Sequence, residues 1–225
     1  MTSTNKLIVG NKLRMKKYPF FIIGLLLCSV MGSAQYRNTT DEQKKEIVNK
    51  ILQTSGNVNT MQCDFTQVKE LSFVGDKVTS EGKMFYKKTN KIRWEYVKPY
   101  RYAFSTDGKN VRMTSGDKTT IMPDNQRKLF VAVCNIMLSS VGGTGLVDSP
   151  DFDTAFFMGS DDYKVIFTPK KKEVKNLFSS IQLYAGKADN RIRSVELVEK
   201  SGDKTTITLK NIQLNTSIND AIFSQ

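Results

Sequence analysis

The chain contains no histidine at all. That removes the usual general base near neutral pH, the Ser-His-Asp and Cys-His nucleophile systems, and every histidine metal site. Cysteine is scarce, with three in 225 residues at Cys28, Cys63 and Cys134. Cys63 and Cys134 cannot make a structural zinc site by themselves. In an oxidising compartment they could form one disulfide, and two separate buried thiols fit equally well. No glycine-rich phosphate loop, dinucleotide fingerprint or calcium loop occurs, and no internal repeat or low-complexity linker marks a second domain. Asp107 beside Gly108 and the pair Asp161-Asp162 are the acids one would nominate for catalysis, but turns carry such residues routinely. The expectation is therefore a protein that is not an enzyme and needs no cofactor and no metal.

What is present begins with an export signal. Lys6, Lys12, Arg14, Lys16 and Lys17 form a basic start with no acidic residue among them, and an apolar stretch from Phe20 to Val30 follows. Gly32 and Ala34 place small side chains three and one positions before a cut after Ala34. The apolar run is shorter than the ~20 residues needed to span a bilayer. Acylation of Cys28 is the rival, but Leu27 precedes it where a small residue is expected. Residues 1–34 thus read as a cleaved signal peptide and 35–225 as a single domain. Removing 34 of 225 residues leaves 191, enough for a substantial core. Five positive charges leave with the signal, taking the net charge from +12 to +7. That remainder would suit an acidic partner or an anionic membrane surface, or simply a solvated exterior.

The mature part opens with a helix and continues in strands. Ile47, Val48, Ile51 and Leu52 recur at helical spacing over residues 41–54, with Thr40 or Asp41 to cap the start and Gly56 to end it. The pattern then changes to period two. Cys63, Phe65 and Gln67 share one strand face, Met84 and Tyr86 alternate with Phe85, and Ile92, Trp94 and Tyr96 alternate with Arg93 and Glu95. Tyr102 and Phe104 continue after Pro99. Turns at Lys88-Thr89-Asn90, Thr106-Asp107-Gly108-Lys109, Ser115-Gly116-Asp117 and Ser201-Gly202-Asp203 join short strands, which indicates antiparallel pairing. Further strands are expected at 163–168, 180–184, 191–198 and 205–214. In the last one Ile207 and Leu209 lie on one face and Ile212 and Leu214 on the other, which predicts a bulge near Lys210-Asn211. Residues 129–138 are nearly all apolar, a helix buried on more than one side. It reads as a core helix covering the sheet or as a lid.

The order of features resembles the outer-membrane lipoprotein carrier family, the LolA-like family. The likeness rests on Phe65-Thr66-Gln67, on the block from Gly82 through Trp94 and Tyr96 to Pro99, on Ser105-Thr106-Asp107-Gly108-Lys109, on Phe167-Thr168-Pro169-Lys170 and on residues 215–223. The resemblance implies an α+β fold: an incomplete antiparallel β-barrel of about eleven strands with helices covering its concave apolar face. It implies a periplasmic carrier that binds the acyl chains of lipoproteins in an apolar cavity and shuttles them from inner to outer membrane. The partners it implies are acylated lipoproteins, an inner-membrane lipoprotein-releasing transporter and an outer-membrane acceptor, with no nucleic acid and a monomeric carrier.

Under this likeness Phe65, Ile92, Trp94 and Tyr96 are expected to bind lipid, with plain core packing as the competing account of the same four. Phe130 and Ile136 are lid candidates. Family members often place Arg then Pro at the basic turn, where the Arg latches the lid; here the positions are Lys88 and Thr89. Lysine offers a point charge rather than a planar fork, so a latch at Lys88 would be looser or absent. A C-terminal extension seen in some relatives is not found past Gln225, so behaviour tied to it is not carried over. The alternatives are a lipid- or partner-sensing periplasmic module of the same fold, or an outer-membrane-anchored acceptor acylated at Cys28.

Overall fold

A computed structural model of the chain describes residues 36–88, 90–107, 110–123, 127 and 150–224. Strand β1 (Arg37–Asn38) leads into helix α1 (Asp41–Ser55), and β2 (Thr60–Glu70), β3 (Lys77–Lys87), β4 (Lys91–Lys98), β5 (Tyr102–Thr106), β6 (Val111–Ser115) and β7 (Lys118–Ile121) follow. Then come β8 (Phe152–Met158), β9 (Asp162–Pro169), the single turn α2 (Lys172–Lys175), β10 (Phe178–Gly186), β11 (Ile192–Glu199) and β12 (Lys204–Leu214). A 3-10 turn at Asp220–Phe223 closes the described chain. The expected strands are found, and the turns at 115–117 and 201–203 join neighbouring strands as expected, whereas Thr89, Gly108 and Lys109 of the other two turns lie outside the described residues. Strands β1 and β8 are present as well and were not revealed by the sequence pattern.

The twelve strands form one antiparallel sheet in the order β1-β8-β9-β10-β11-β12-β2-β3-β4-β5-β6-β7. Two meanders, β2–β7 and β8–β12, meet where β12 pairs with β2. The two ends of the sheet, β1 and β7, are not paired to each other, so the barrel is incomplete. This agrees with the incomplete antiparallel barrel the sequence implied, β1 being only two residues long.

Helix α1 starts where the chain can satisfy its free N–H groups. The Thr40 hydroxyl accepts from Gln43 N, and the Gln43 side chain accepts from Thr40 N, a reciprocal capping box. Asp41 and Glu42 add negative charge to the first turn, where the helix dipole favours it. At the other end Gly56 N donates to Leu52 O. Ile47, Val48 and Ile51 face inward and join the same core as the inward residues of the sheet.

The bulge expected in β12 is where the phase change put it. Lys210 pairs with Asp64 and Gln213 with Gln62, so β12 spends three residues where β2 spends two. Asn211 absorbs the extra residue at φ 53, a left-handed conformation that asparagine tolerates better than most side chains. Its amide donates to Asp64 Oδ2 at 2.7 Å. The consequence is that Ile212 and Leu214 return to the side of Ile207 and Leu209 and pack against the core.

Candidate functional site

Cross-strand registers sort the inward side chains into rows. One row runs Leu209, Phe65, Gly82, Tyr96, Tyr102 from β12 to β5. The next runs Cys63, Met84, Trp94, Phe104, and a third Met61, Tyr86, Ile92, Thr106. These rows decide which face of β3 looks inward: Met84 and Tyr86 are buried and Phe85 is turned outward. Alternation alone does not make that choice, because both faces of β3 carry apolar residues.

Gly82 shapes the first row. It stands between Phe65 and Tyr96, and a side chain there would collide with the Phe65 ring and the Glu95 carbonyl. With that space empty, the Phe65 ring lies across β3 and meets Trp94 at 4.7 Å and Tyr96 at 5.1 Å between ring centres. Tyr96 in turn stacks on Tyr102 at 4.3 Å and 14°. Phe104 meets Tyr102 edge-on at 5.6 Å. Offset and edge-to-face arrangements of this kind are the favoured aromatic geometries. The Tyr96 hydroxyl donates to Gln67 Oε1 at 2.8 Å. Burial raises the ionisation points of Tyr86 and Tyr102 above the ordinary tyrosine range. The Cys63 thiol is pushed up to about 12, by burial first and then by the charge of Asp64. It is a free, inert thiol.

Chemically this surface offers rings, methyl groups and a thioether. Among the described residues no cluster of three or more His, Cys, Asp or Glu could hold a metal ion. Also among them, no helix is long and apolar enough to cross a membrane. The arrangement can hold hydrocarbon.

Residues 56–225 match the family described as outer membrane lipoprotein carrier protein LolA. The chain belongs to this carrier family. Its similarity to individual members of the carrier family is distant. An outer-membrane lipoprotein carrier protein of Methylococcus capsulatus is 23% identical over 211 residues, 93% of each chain. That of Chromohalobacter salexigens is 24% identical over 145 residues, which are 64% of this chain and 66% of the relative. A crystal structure of a LolA superfamily protein from Nitrosomonas europaea superposes with a TM-score of 0.46 at 10% identity, covering 81% of this chain and 97% of that one.

The four residues nominated as the lipid-binding set of a carrier stand together. Phe65, Ile92, Trp94 and Tyr96 all face inward and all are buried. Ile92 is 3% exposed, as deeply buried as Trp94. Lys88 lies in the β3–β4 turn with an exposed side chain, its main-chain N–H donating to Asn59 O at 2.7 Å. Phe130 and Ile136, Cys134, the whole apolar stretch 129–138 and the export signal lie outside the described residues. Met84, Tyr102 and Phe104 complete the aromatic wall and were not nominated. Tyr102 and Phe104 are half-buried, so the wall is least covered at β5. The signal that would have found them is register: Trp94 pairs with Met84 on one side and Phe104 on the other.

Proposed function

We propose that this chain is a periplasmic carrier that takes up the acyl chains of lipoproteins on its concave face and shuttles them from inner to outer membrane. One observation carries this reading. The apolar lining runs unbroken from Leu209 on β12 to Phe104 on β5, and its β5 end stays half exposed rather than sealed like an ordinary core. Membership of the carrier family supports the class of cargo.

The physical need is solubilisation. Each CH₂ of an acyl chain gains ~0.8 kcal/mol on leaving water, so two or three long chains hold a lipoprotein in its membrane by tens of kcal/mol. A shuttle must offer comparable apolar surface and still release it. An open barrel lined by one face of each strand supplies the surface. Residues 129–138, with Phe130 and Ile136, would fill the hollow when no cargo is bound, with a latch at Lys88 looser than an arginine's or absent. Delivery would involve an inner-membrane releasing transporter and an outer-membrane acceptor, with the signal at 1–34 removed on export. The protein acts by binding and catalyses no reaction.

The test is to purify the mature protein from the periplasm and analyse what comes with it by mass spectrometry. A lipoprotein or acyl species is expected. If none is found, and a hydrophobic dye finds no site either, the carrier reading is abandoned. Trp94→Glu is expected to cut capture at least tenfold. Because that ring is buried, Phe104→Glu at the half-exposed end is measured beside it, and a folded Phe104→Glu protein with unchanged capture counts against the reading.

A further inference from the structure

Within the aromatic wall one polar atom stands apart. The indole Nε1 of Trp94 is buried and has no hydrogen-bond partner among the described residues. The side chain is 5% exposed, so solvent does not serve it either. Buried donors are almost always satisfied, and leaving one unmade forfeits its full hydration. Phenylalanine would supply a ring here without that cost. The donor therefore opposes folding in the empty protein, and an acceptor that arrives later would explain it.

The neighbours show why nothing among the described residues meets it. The β4 main chain is committed to ladders with β3 and β5. Met84 and Phe104 flank Trp94 in its row, and the Phe65 ring leans on it at 40°. A thioether is only a weak acceptor, and the other two offer none. The Tyr96 hydroxyl in the adjacent row is engaged with Gln67. The orphaned side-chain atoms on Asn190 and Thr216 lie in the segments after β10 and β12, not on the apolar strand face.

The rows also limit what can arrive. From β2 to β5 Trp94's row and those on either side hold Cys63, Phe65, Gly82, Met84, Tyr86, Ile92, Tyr96, Tyr102, Phe104, Thr106 and Met61, with no charged side chain. A carboxylate would lose its hydration there, and these rows of described residues hold no cation to meet it. An ester carbonyl carries no charge, sits at the head of a hydrocarbon chain and accepts one hydrogen bond.

We propose that the Trp94 indole N–H donates to the ester carbonyl of an acyl group on the concave face, so that the site distinguishes acyl esters from ether-linked chains and from free fatty acids. The inference rests on the carrier reading and adds the chemical group that is recognised. Diacylglyceryl lipopeptides and phospholipids carry the same ester, and either source satisfies it.

Trp94 is the only tryptophan, so the protein has a single indole ¹H–¹⁵N resonance. Titration with a synthetic diacylglyceryl lipopeptide is expected to move that resonance downfield, and a short-chain phospholipid is expected to do the same. The dialkyl ether analogue of the lipopeptide, with equal chain lengths, should leave it in place. The ester ligand should bind about tenfold more tightly than the ether, and Trp94→Phe should abolish that ratio by weakening the ester alone. Equal affinities with an unmoved resonance overturn the inference while leaving the carrier standing. If no acylated ligand binds the wild-type protein, the carrier reading falls and this inference falls with it.

Discussion

The two arms of the sheet are lined differently. Across β9–β12 the most deeply buried row is aliphatic: Val165, Leu183, Val195 and Ile207 are none of them more than 4% exposed, and Phe156 on β8 extends the row at 5%. Across β2–β5 six of the inward residues are aromatic, packed ring on ring, and the row ends in the half-exposed Tyr102 and Phe104 and includes an unsatisfied indole. Aliphatic side chains at full burial interdigitate as a solid and leave no room for a guest. Flat rings hinged over a glycine and open at one edge suit a surface that is covered at some times and exposed at others. On the proposed function, that difference would give stability to the first arm and binding to the second.

The sharpest way to break that assignment is Leu183→Ala. Leu183 is fully buried between Val165 and Val195. Its truncation is expected to cost about 2–5 kcal/mol in urea unfolding, while capture of acyl ligand per folded molecule stays unchanged. A loss of capture at full folding would erase the division between the arms. Next comes Gly82→Ala, which forces a methyl against the Phe65 ring and the Glu95 carbonyl. Overpacking of this sort costs about 1–3 kcal/mol. Because the displaced Phe65 leans on Trp94, the tryptophan emission should shift in the folded variant, and unchanged emission would mean the ring was not held by the gap. Phe104→Ala is smaller for stability, about 1 kcal/mol for a half-buried ring, and larger for binding. Capture should fall severalfold in a protein that melts nearly normally; the reverse pattern would place Phe104 in the solid core.

Much of the arrangement could be read from local pattern, because local pattern caused it. The capping box at Thr40 and Gln43 and the apolar spacing of Ile47, Val48 and Ile51 define α1 without outside help. The phase slip between Leu209 and Ile212 required a bulge, since a regular strand would have turned Ile212 and Leu214 away from the core. Strand β8 escaped notice because Phe157 interrupts its alternation from the outer face, so Phe156 and Phe157 read as a run and not as a period of two. Phe65, Ile92, Trp94 and Tyr96 were found from their shared strand faces taken together with the resemblance to the carrier family. Met84, Tyr102 and Phe104 were not, since their membership depends on which residue lies opposite which across three strands. The role of Gly82 is of the same kind: an absence of side chain acquires meaning only beside Phe65 and Tyr96. The C-terminal contacts were the least legible, as they join residues more than a hundred positions apart.

Those contacts carry the smallest expected effect. Asp220, in the closing 3-10 turn, accepts from Lys87 Nζ at 2.7 Å and Lys91 Nζ at 3.0 Å, and so ties the chain's end to the two strands that flank the basic turn. Arg93 Nη1 adds a bond to Ile222 O at 3.2 Å, and Phe223 is buried. The hydrogen bonds from Lys87 and Lys91 hold the Asp220 carboxyl below its ordinary value near 3.8. A carboxyl depressed in the folded state stabilises that state above its unfolded value, and the contribution disappears as pH falls through the folded one. All three side chains are partly solvated, so salt screens the attraction. Asp220→Asn is therefore expected to lower the melting temperature slightly at neutral pH and low salt. The gap from wild type should narrow in high salt and close only below about pH 3.8. A gap that persists in strong acid would mean that the amide disturbs the turn itself, where Asn219 already accepts from Ala221 N, and that charge is not what clips this end to the binding arm.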